Sequence, residues 1–181
     1  MRKLGTNIRM QMIAGCCTGI ANRNTKVLDI GAGNGYVSNY IQNKFGCRMH
    51  CADILNYLEY DFPFYKISGD KLSFKNKFFD MAMINDTLHH MDEKTQTAML
   101  KEAARVAKRV LIFDTKRTLT AMILDRIISK IHNISMPVPC THKTGAGWKE
   151  CFSKLGLKSK EIKIERKWYY PLEHLCFVVQ S

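Results

Sequence analysis

Apolar and polar residues alternate between two periods along this chain. Residues 4–21 place Leu4, Ile8, Met12 and Ile13 on one side of a helix, which Gly15 and Gly19 weaken toward its end. A polar break, 22–25, separates it from a short apolar run, 26–30, which reads as a buried strand. Helical spacing returns over 36–45 and stops at Gly46; 48–53 reads as a second strand and 62–67 as a third, with Pro63 near its start. A fourth strand over 79–85 precedes a helix over 93–108 with Met99, Leu100, Ala103 and Val106 on one stripe. A fifth strand, 110–113, ends at Asp114. An amphipathic helix, 119–132, a loop marked by Pro137 and Pro139, and a helix over 147–155 ended by Gly156 follow. The runs 158–168 and 175–180, joined around Pro171, are too close for a parallel crossover and must be antiparallel neighbours. The expected fold is α/β: a Rossmann-like, doubly wound, three-layer α/β/α sheet, mostly parallel with an antiparallel C-terminal hairpin.

The 181 residues suit a single domain: a helical cap over 1–25, a cofactor-binding half over 26–115, and substrate-side helices with the terminal hairpin over 116–181. No apolar run reaches the roughly 20 residues of a spanning helix. The basic start carries Asn7, Arg9 and Gln11 where a signal peptide needs an apolar stretch, so a cytoplasmic protein is expected. Cysteines at 16, 17, 47, 51, 140, 151 and 176 show no C-x-x-C pair and read as reduced thiols of the core. The net charge of +12 is uneven: +4 over 1–25, −1 over 26–100 and +9 over 101–181. Basic ends favour RNA, an acidic lipid surface or an anionic substrate, or are simply solvated.

Candidate chemistry begins at Val27-Leu-Asp-Ile-Gly-Ala-Gly-Asn-Gly35, between a strand and a helix. Glycines at 31, 33 and 35 permit a tight turn and close approach of a ligand to the backbone. Asp53, twenty residues after Gly33, can accept hydrogen bonds from both hydroxyls of a ribose. A dinucleotide site would want glycine three positions after Gly33, where Tyr36 stands. The spacing present, D-x-G-x-G-x-G from Asp29 to Gly35, resembles motif I of class I S-adenosylmethionine-dependent methyltransferases.

The resemblance extends over roughly 25–180. Ser68-Gly-Asp70 with Leu72, Phe74 and Phe78-Phe-Asp80 is similar to that family's "GD-x-x-x-L-P-F" run, with Ser73 in place of proline. Asn85-Asp-Thr-Leu-His-His90 resembles its "L-H-H" segment, and Trp148 to Leu157 its "W-x-x-x-F-x-x-x-G-F" helix. The chain thus resembles a small UbiE-like domain of methyltransferase type 11. The resemblance implies S-adenosyl-L-methionine as cofactor, with Gly31, Ala32, Gly33 and Gly35 against its methionine part and Asp29 bracing that loop. It also implies Asp53 on the ribose, Ile54 on the adenine, Asp70 on the adenine amino group with Lys71 and Leu72 along that wall, and Asn85 presenting its backbone to the amino group.

His90, and after it His89, are candidate general bases because imidazole titrates near neutrality. Asp86, His89 and His90 carry metal-binding atoms, but three donors crowded on one turn without a fourth elsewhere do not predict a metal. Trp168, Tyr169 and Tyr170 either line an aromatic pocket or pack the hairpin. Three functions follow: methyl transfer to a small-molecule or lipid/quinone acceptor, an RNA-modifying methyltransferase, and a catalytically silent cofactor-binding subunit. The acceptor and the oligomeric state are not written in these residues.

Overall fold

The computed structural model describes residues 2–68, 71–118, 141–165 and 168–181. Its strands are β1 (Lys26–Ile30), β2 (Arg48–Asp53), β3 (Phe64–Lys66), β4 (Met81–Asn85), β5 (Val110–Thr115), β6 (Lys158–Ile162) and β7 (His174–Gln180). They form one sheet in the order β3-β2-β1-β4-β5-β7-β6. β3 to β5 run parallel, while β7 is antiparallel to both β5 and β6. The predicted sheet with its antiparallel C-terminal pair is therefore present. The described helices are α1 (Arg2–Cys17), α2 (Tyr36–Phe45), α3 (Glu93–Val106) and α4 (Gly145–Lys154), with a 3-10 turn at Leu88–His90.

The central strands carry apolar residues at nearly every position because helices cover both faces of the sheet. Leu28, Ile30, Ala82, Ile84, Val110 and Ile112 point to the side where Met99, Leu100 and Ala103 of α3 and Trp148 and Phe152 of α4 pack. Val27, Met81, Met83, Leu111 and Phe113 point to the other, against Ile8, Met12 and Ile13 of α1 and Val37 and Ile41 of α2. The helix ends follow local chemistry. Gly46, at φ 68°, closes α2 with its amide on Gln42 O. Asp92 caps α3 by accepting from Thr95 N, and Thr144 caps α4 by accepting from Gly147 N.

Several boundaries differ from expectation. α1 ends at Cys17, four residues early, because Gly19 turns left-handed at φ 77°. β5 continues through Asp114 to Thr115, since β7 supplies ladder partners Leu175 and His174. β6 stops at Ile162, and Trp168 and Tyr169 face solvent, at 89% and 51% exposure, while Tyr170 is buried near His174. Hairpin packing thus holds for Tyr170 alone of the three aromatics. The helix expected over 119–132, the loop at Pro137 and Pro139, Cys140 and Asp70 lie outside the described residues. The other six cysteines are free thiols, all buried but Cys151. No described helix is long and apolar enough to cross a membrane.

Candidate active site

The carboxyl ends of the parallel strands gather the polar groups, as doubly wound sheets direct. After β1, Gly31, Gly33 and Gly35 hold φ of 75°, 54° and 79°, a left-handed backbone that residues with a Cβ rarely accept. Their neighbours differ. A Cβ on Gly31 would stand 2.4 Å from Thr87 Cγ2, so the chain after β4 packs directly on this residue. On Gly35 it would meet Leu58 Cδ2 at 3.0 Å, whereas on Gly33 it would meet nothing within 4 Å. Gly33 is thus the open floor of the loop. Gly31 N donates to Ala52 O at 2.8 Å, and Gly33 N donates to Asp53 Oδ2 at 2.8 Å, tying the loop to the end of β2.

Asp29, on β1, ties α2 to the end of β4. It is 1% exposed and accepts from Ser38 Oγ at 2.6 Å and Asn85 Nδ2 at 3.2 Å. Burial pushes its carboxyl up to about 6, with the two hydrogen bonds opposing. Asn85 Oδ1 is buried with no partner among the described residues, while Asn85 O accepts from Thr87 Oγ1. Ile54 and Leu55 expose apolar surface just beyond Asp53, at 49% and 48%.

A second set of groups lies at the ends of β4 and β5. His89 Nδ1 meets Asp114 Oδ1, and both side chains are almost fully buried. Burial raises the Asp114 carboxyl, and the His89 contact opposes it. Asp114 Oδ2 is buried with no partner among the described residues. The turn carrying His89 is pinned by Gln96 Nε2 on Leu88 O at 2.8 Å and by Thr141 N on His89 O at 2.9 Å. His142 stacks on His89 with ring centroids 4.4 Å apart, and the ring of exposed His90 also lies against His89, at 4.0 Å. Beside them, Asp86 adopts φ 48° and pairs with Arg9 of α1 at 2.8 Å. Thr115 Oγ1 donates to Asp86 Oδ1 at 3.0 Å, and His174 Nε2 lies 3.6 Å from the same oxygen. Burial would raise the Asp86 carboxyl, but His174, Arg9 and His89 together hold it below its ordinary value. Because burial lowers the His174 pKa, Arg9 is the lasting positive charge in this set.

The structure therefore brings Asp29, Gly31, Ala32, Gly33, Gly35, Asp53 and Asn85 together, with Ile54 at the rim. Leu72 faces the hydrophobic core, at 5% exposure, with its amide held by Glu102, and Lys71 lies exposed beside it. Asp86 and His89 have ligand atoms within 4.8 Å of one another and of Asp114, a third donor that comes from β5 and not from His90. Those atoms are engaged by Arg9, Thr115 and one another. In the sequence Asp114 stands as the end of a strand, and a carboxylate at the carboxyl end of a parallel strand is the signal that could have found it. Nothing in the sequence singled out Arg9, His142 or His174.

This sheet order, with its last strand inserted antiparallel, is the class I S-adenosylmethionine-dependent methyltransferase fold. Residues 27–109 match the family model described as a methyltransferase domain. No curated protein matches the chain in sequence. Among solved structures, a Pyrococcus horikoshii protein is 19% identical, with 97% of this chain and 91% of that one covered, at a TM-score of 0.70. The magnesium protoporphyrin IX methyltransferase of Synechocystis PCC 6803, solved with bound SAH, is 16% identical over 98% and 84% of the two chains, at 0.66. A putative methyltransferase of Haloferax volcanii, solved with a methyltransferase activator, is 15% identical over 99% and 92%, at 0.69.

The residues present suit the cofactor of that fold. Gly33 leaves open space beside the Asp53 carboxylate, whose oxygens accept from Gly33 N and Ile54 N, and Asn85 Oδ1 is an acceptor with no partner among the described residues, room and acceptors of the kind an amino-acid nucleoside needs.

Proposed function

We propose that this protein transfers the methyl group of S-adenosyl-L-methionine to a hydroxyl or phenol of a small-molecule or lipid/quinone acceptor. The observation that carries this reading is the pairing of His89 with buried Asp114 beside the glycine loop, at the same end of the sheet. The sulfonium of the donor supplies an already activated methyl group. What remains for the chain is to hold donor and acceptor in line, exclude water and accept a proton. Gly31 to Gly35, Asp53 and Asn85 seat the donor. Asp114 fixes the His89 ring and stabilises its protonated form, so His89, rather than exposed His90, is the base in this reading. A base matters only for a weakly acidic nucleophile, which is why the acceptor atom is assigned as oxygen. On this reading residues 1–25 cap the site through Arg9 and Asp86, 26–115 hold the donor, and 116–181 face the acceptor.

The basic C-terminal half does not require RNA. Lys158 and Lys160 lie on β6, the exposed edge of the sheet, where charge blocks edge-to-edge association. The test is methyl transfer from labelled donor into cell extract, split by solvent extraction and by ribonuclease treatment. Label in an organic-extractable, base-stable product supports the proposal; label lost only with ribonuclease overturns the acceptor class.

A further inference from the structure

The amino-acid end of S-adenosyl-L-methionine is a zwitterion, so a site that holds it needs a cation for the carboxylate as well as an acceptor for the amino group. Asp29, Asp53 and Asn85 contribute oxygens, but no residue from 29 to 35 is basic. The cation has to come from another element.

Arg9 of α1 stands where the glycine loop meets the end of β4. Its Nη1 donates to Asp86 Oδ2 at 2.8 Å, and Asp86 directly follows Asn85. Thr87, one residue further on, is the side chain packed against Gly31. On the other side, Met10 shares a cavity of about 340 Å³ with Tyr36, the first residue of α2 after the loop. α1 therefore reaches both the exit of the glycine loop and the end of β4, with Arg9 between them. Burial raises the Asp29 carboxyl, and the Arg9 charge is among the influences that oppose it.

Asp86 does not use Arg9 up. A guanidinium carries five N–H donors in a flat fork, and the Asp86 bond is the one Arg9 makes among the described residues. The Arg9 side chain keeps 32% of its surface accessible, against 12% for Asp86. Asp86 itself is held by Thr115 and keeps φ at 48°, a turn that would suit glycine. An aspartate in that turn bears backbone strain and puts a carboxylate behind the guanidinium.

We infer, on the methyltransferase reading, that Arg9 is the carboxylate anchor of the donor: its remaining N–H groups take the carboxylate of the methionine end while Nη1 stays on Asp86. The Asp86 carboxylate, Arg9, the donor carboxylate and the donor ammonium then alternate in sign, so that each inner charge lies between opposite ones. The first helix is thereby part of the donor site as well as a cover for the core.

Calorimetric titration of the full chain with two ligands tests this assignment. One is S-adenosylhomocysteine; the other is its decarboxylated form, which keeps the amino group and lacks only the carboxylate. The wild type should bind the first about tenfold or more tightly than the second, the scale of one lost charge-assisted bond. In Arg9→Gln that preference should fall below about twofold. A role confined to holding α1 on the sheet predicts equal losses for both ligands with the preference intact, and that result overturns the anchor. So does a wild type that binds the two alike. If Arg9→Gln shows no cooperative melt, Arg9→Lys replaces it, since lysine keeps a cation opposite Asp86 without the fork. The preference should then fall about threefold or more, and an unchanged preference again overturns the anchor. A wild type that binds neither ligand removes the methyltransferase reading and the anchor together. Binding of both with a preference that ignores residue 9 leaves that reading standing and removes the anchor alone.

Discussion

Gly31 and Gly33 share a left-handed backbone, yet alanine at the two positions should fail in different ways. At Gly33, φ is 54° and the new methyl group meets no protein atom within 4 Å, so only the backbone penalty applies. That penalty is about 1–2 kcal/mol, or a fall in Tm of about 2–8 °C for a domain of this size. At Gly31 the same penalty is joined by a methyl group placed 2.4 Å from Thr87 Cγ2 and 2.5 Å from Thr87 Oγ1. Overpacking of that kind costs a further 1–3 kcal/mol or so, for a total of about 2–5 kcal/mol and a Tm fall of about 4–20 °C. Thr87→Ala in the Gly31→Ala background should recover part of this loss, since it removes both atoms. Cofactor binding should rank the variants in the other order relative to their stability. If the donor rests on the floor at Gly33, a methyl group there occupies ligand space and weakens S-adenosylhomocysteine binding tenfold or more, about 1.4 kcal/mol. Differential scanning fluorimetry and calorimetry of the same samples separate the two effects. A Gly33→Ala protein that binds S-adenosylhomocysteine like the wild type would refute the seat assigned to the cofactor.

Three further predictions follow from the site. Asp53→Ala should weaken S-adenosylhomocysteine binding by about 1–3 kcal/mol through lost charge-assisted hydrogen bonds, and unchanged affinity by titration calorimetry removes Asp53 from the ribose. His89→Gln and Asp114→Asn should each slow methyl transfer to an oxygen acceptor by about 10²–10⁴-fold and abolish the acidic limb of the pH–rate profile, with donor affinity retained; a full-rate variant of either kind dismisses the base. Asp29 titrates near 6 when folded against an ordinary 3.8, so its contribution to stability is complete below about pH 4 and fades as pH rises through 6. The difference amounts to about 3 kcal/mol, and Asp29→Asn should flatten that stretch of the stability–pH curve in urea melts; parallel curves for the two proteins would show the carboxyl to be unperturbed.

The fold was legible because its signals are local and repeated. The mostly apolar run 26–30 and the continuous one at 81–84 declare strands covered on both faces, and Gly46 and Gly156 stop helices where left-handed turns are observed. The antiparallel pair expected from the closing runs is present, although β6 stops at Ile162 and the link to β7 is longer than the runs suggested. Boundaries failed where tertiary pairing decides them: β5 reaches Thr115 only because β7 is there to meet it. The glycine loop and Asp53 were readable for the same reason as the strands, since turn chemistry and spacing lie along the chain. The polar network around His89 and Asp86 was not. Asp114 lies 25 residues from His89 and Arg9 lies 77 from Asp86, and no periodicity links positions that only folding brings together. Residue type alone did not separate the two adjacent histidines: His90 is exposed, and His89 is the one in contact with a carboxylate, Asp114.

The central claim is that the strip from Asp29 to Gly35, with Asp53, seats a sulfonium nucleoside. A crystal structure of the chain saturated with S-adenosylhomocysteine tests it most directly. The account predicts both ribose hydroxyls on the Asp53 carboxylate, the homocysteine chain across Gly33, and its amino group beside Asn85. A nucleoside bound elsewhere on the sheet, or a strip that stays closed at saturating ligand, contradicts it.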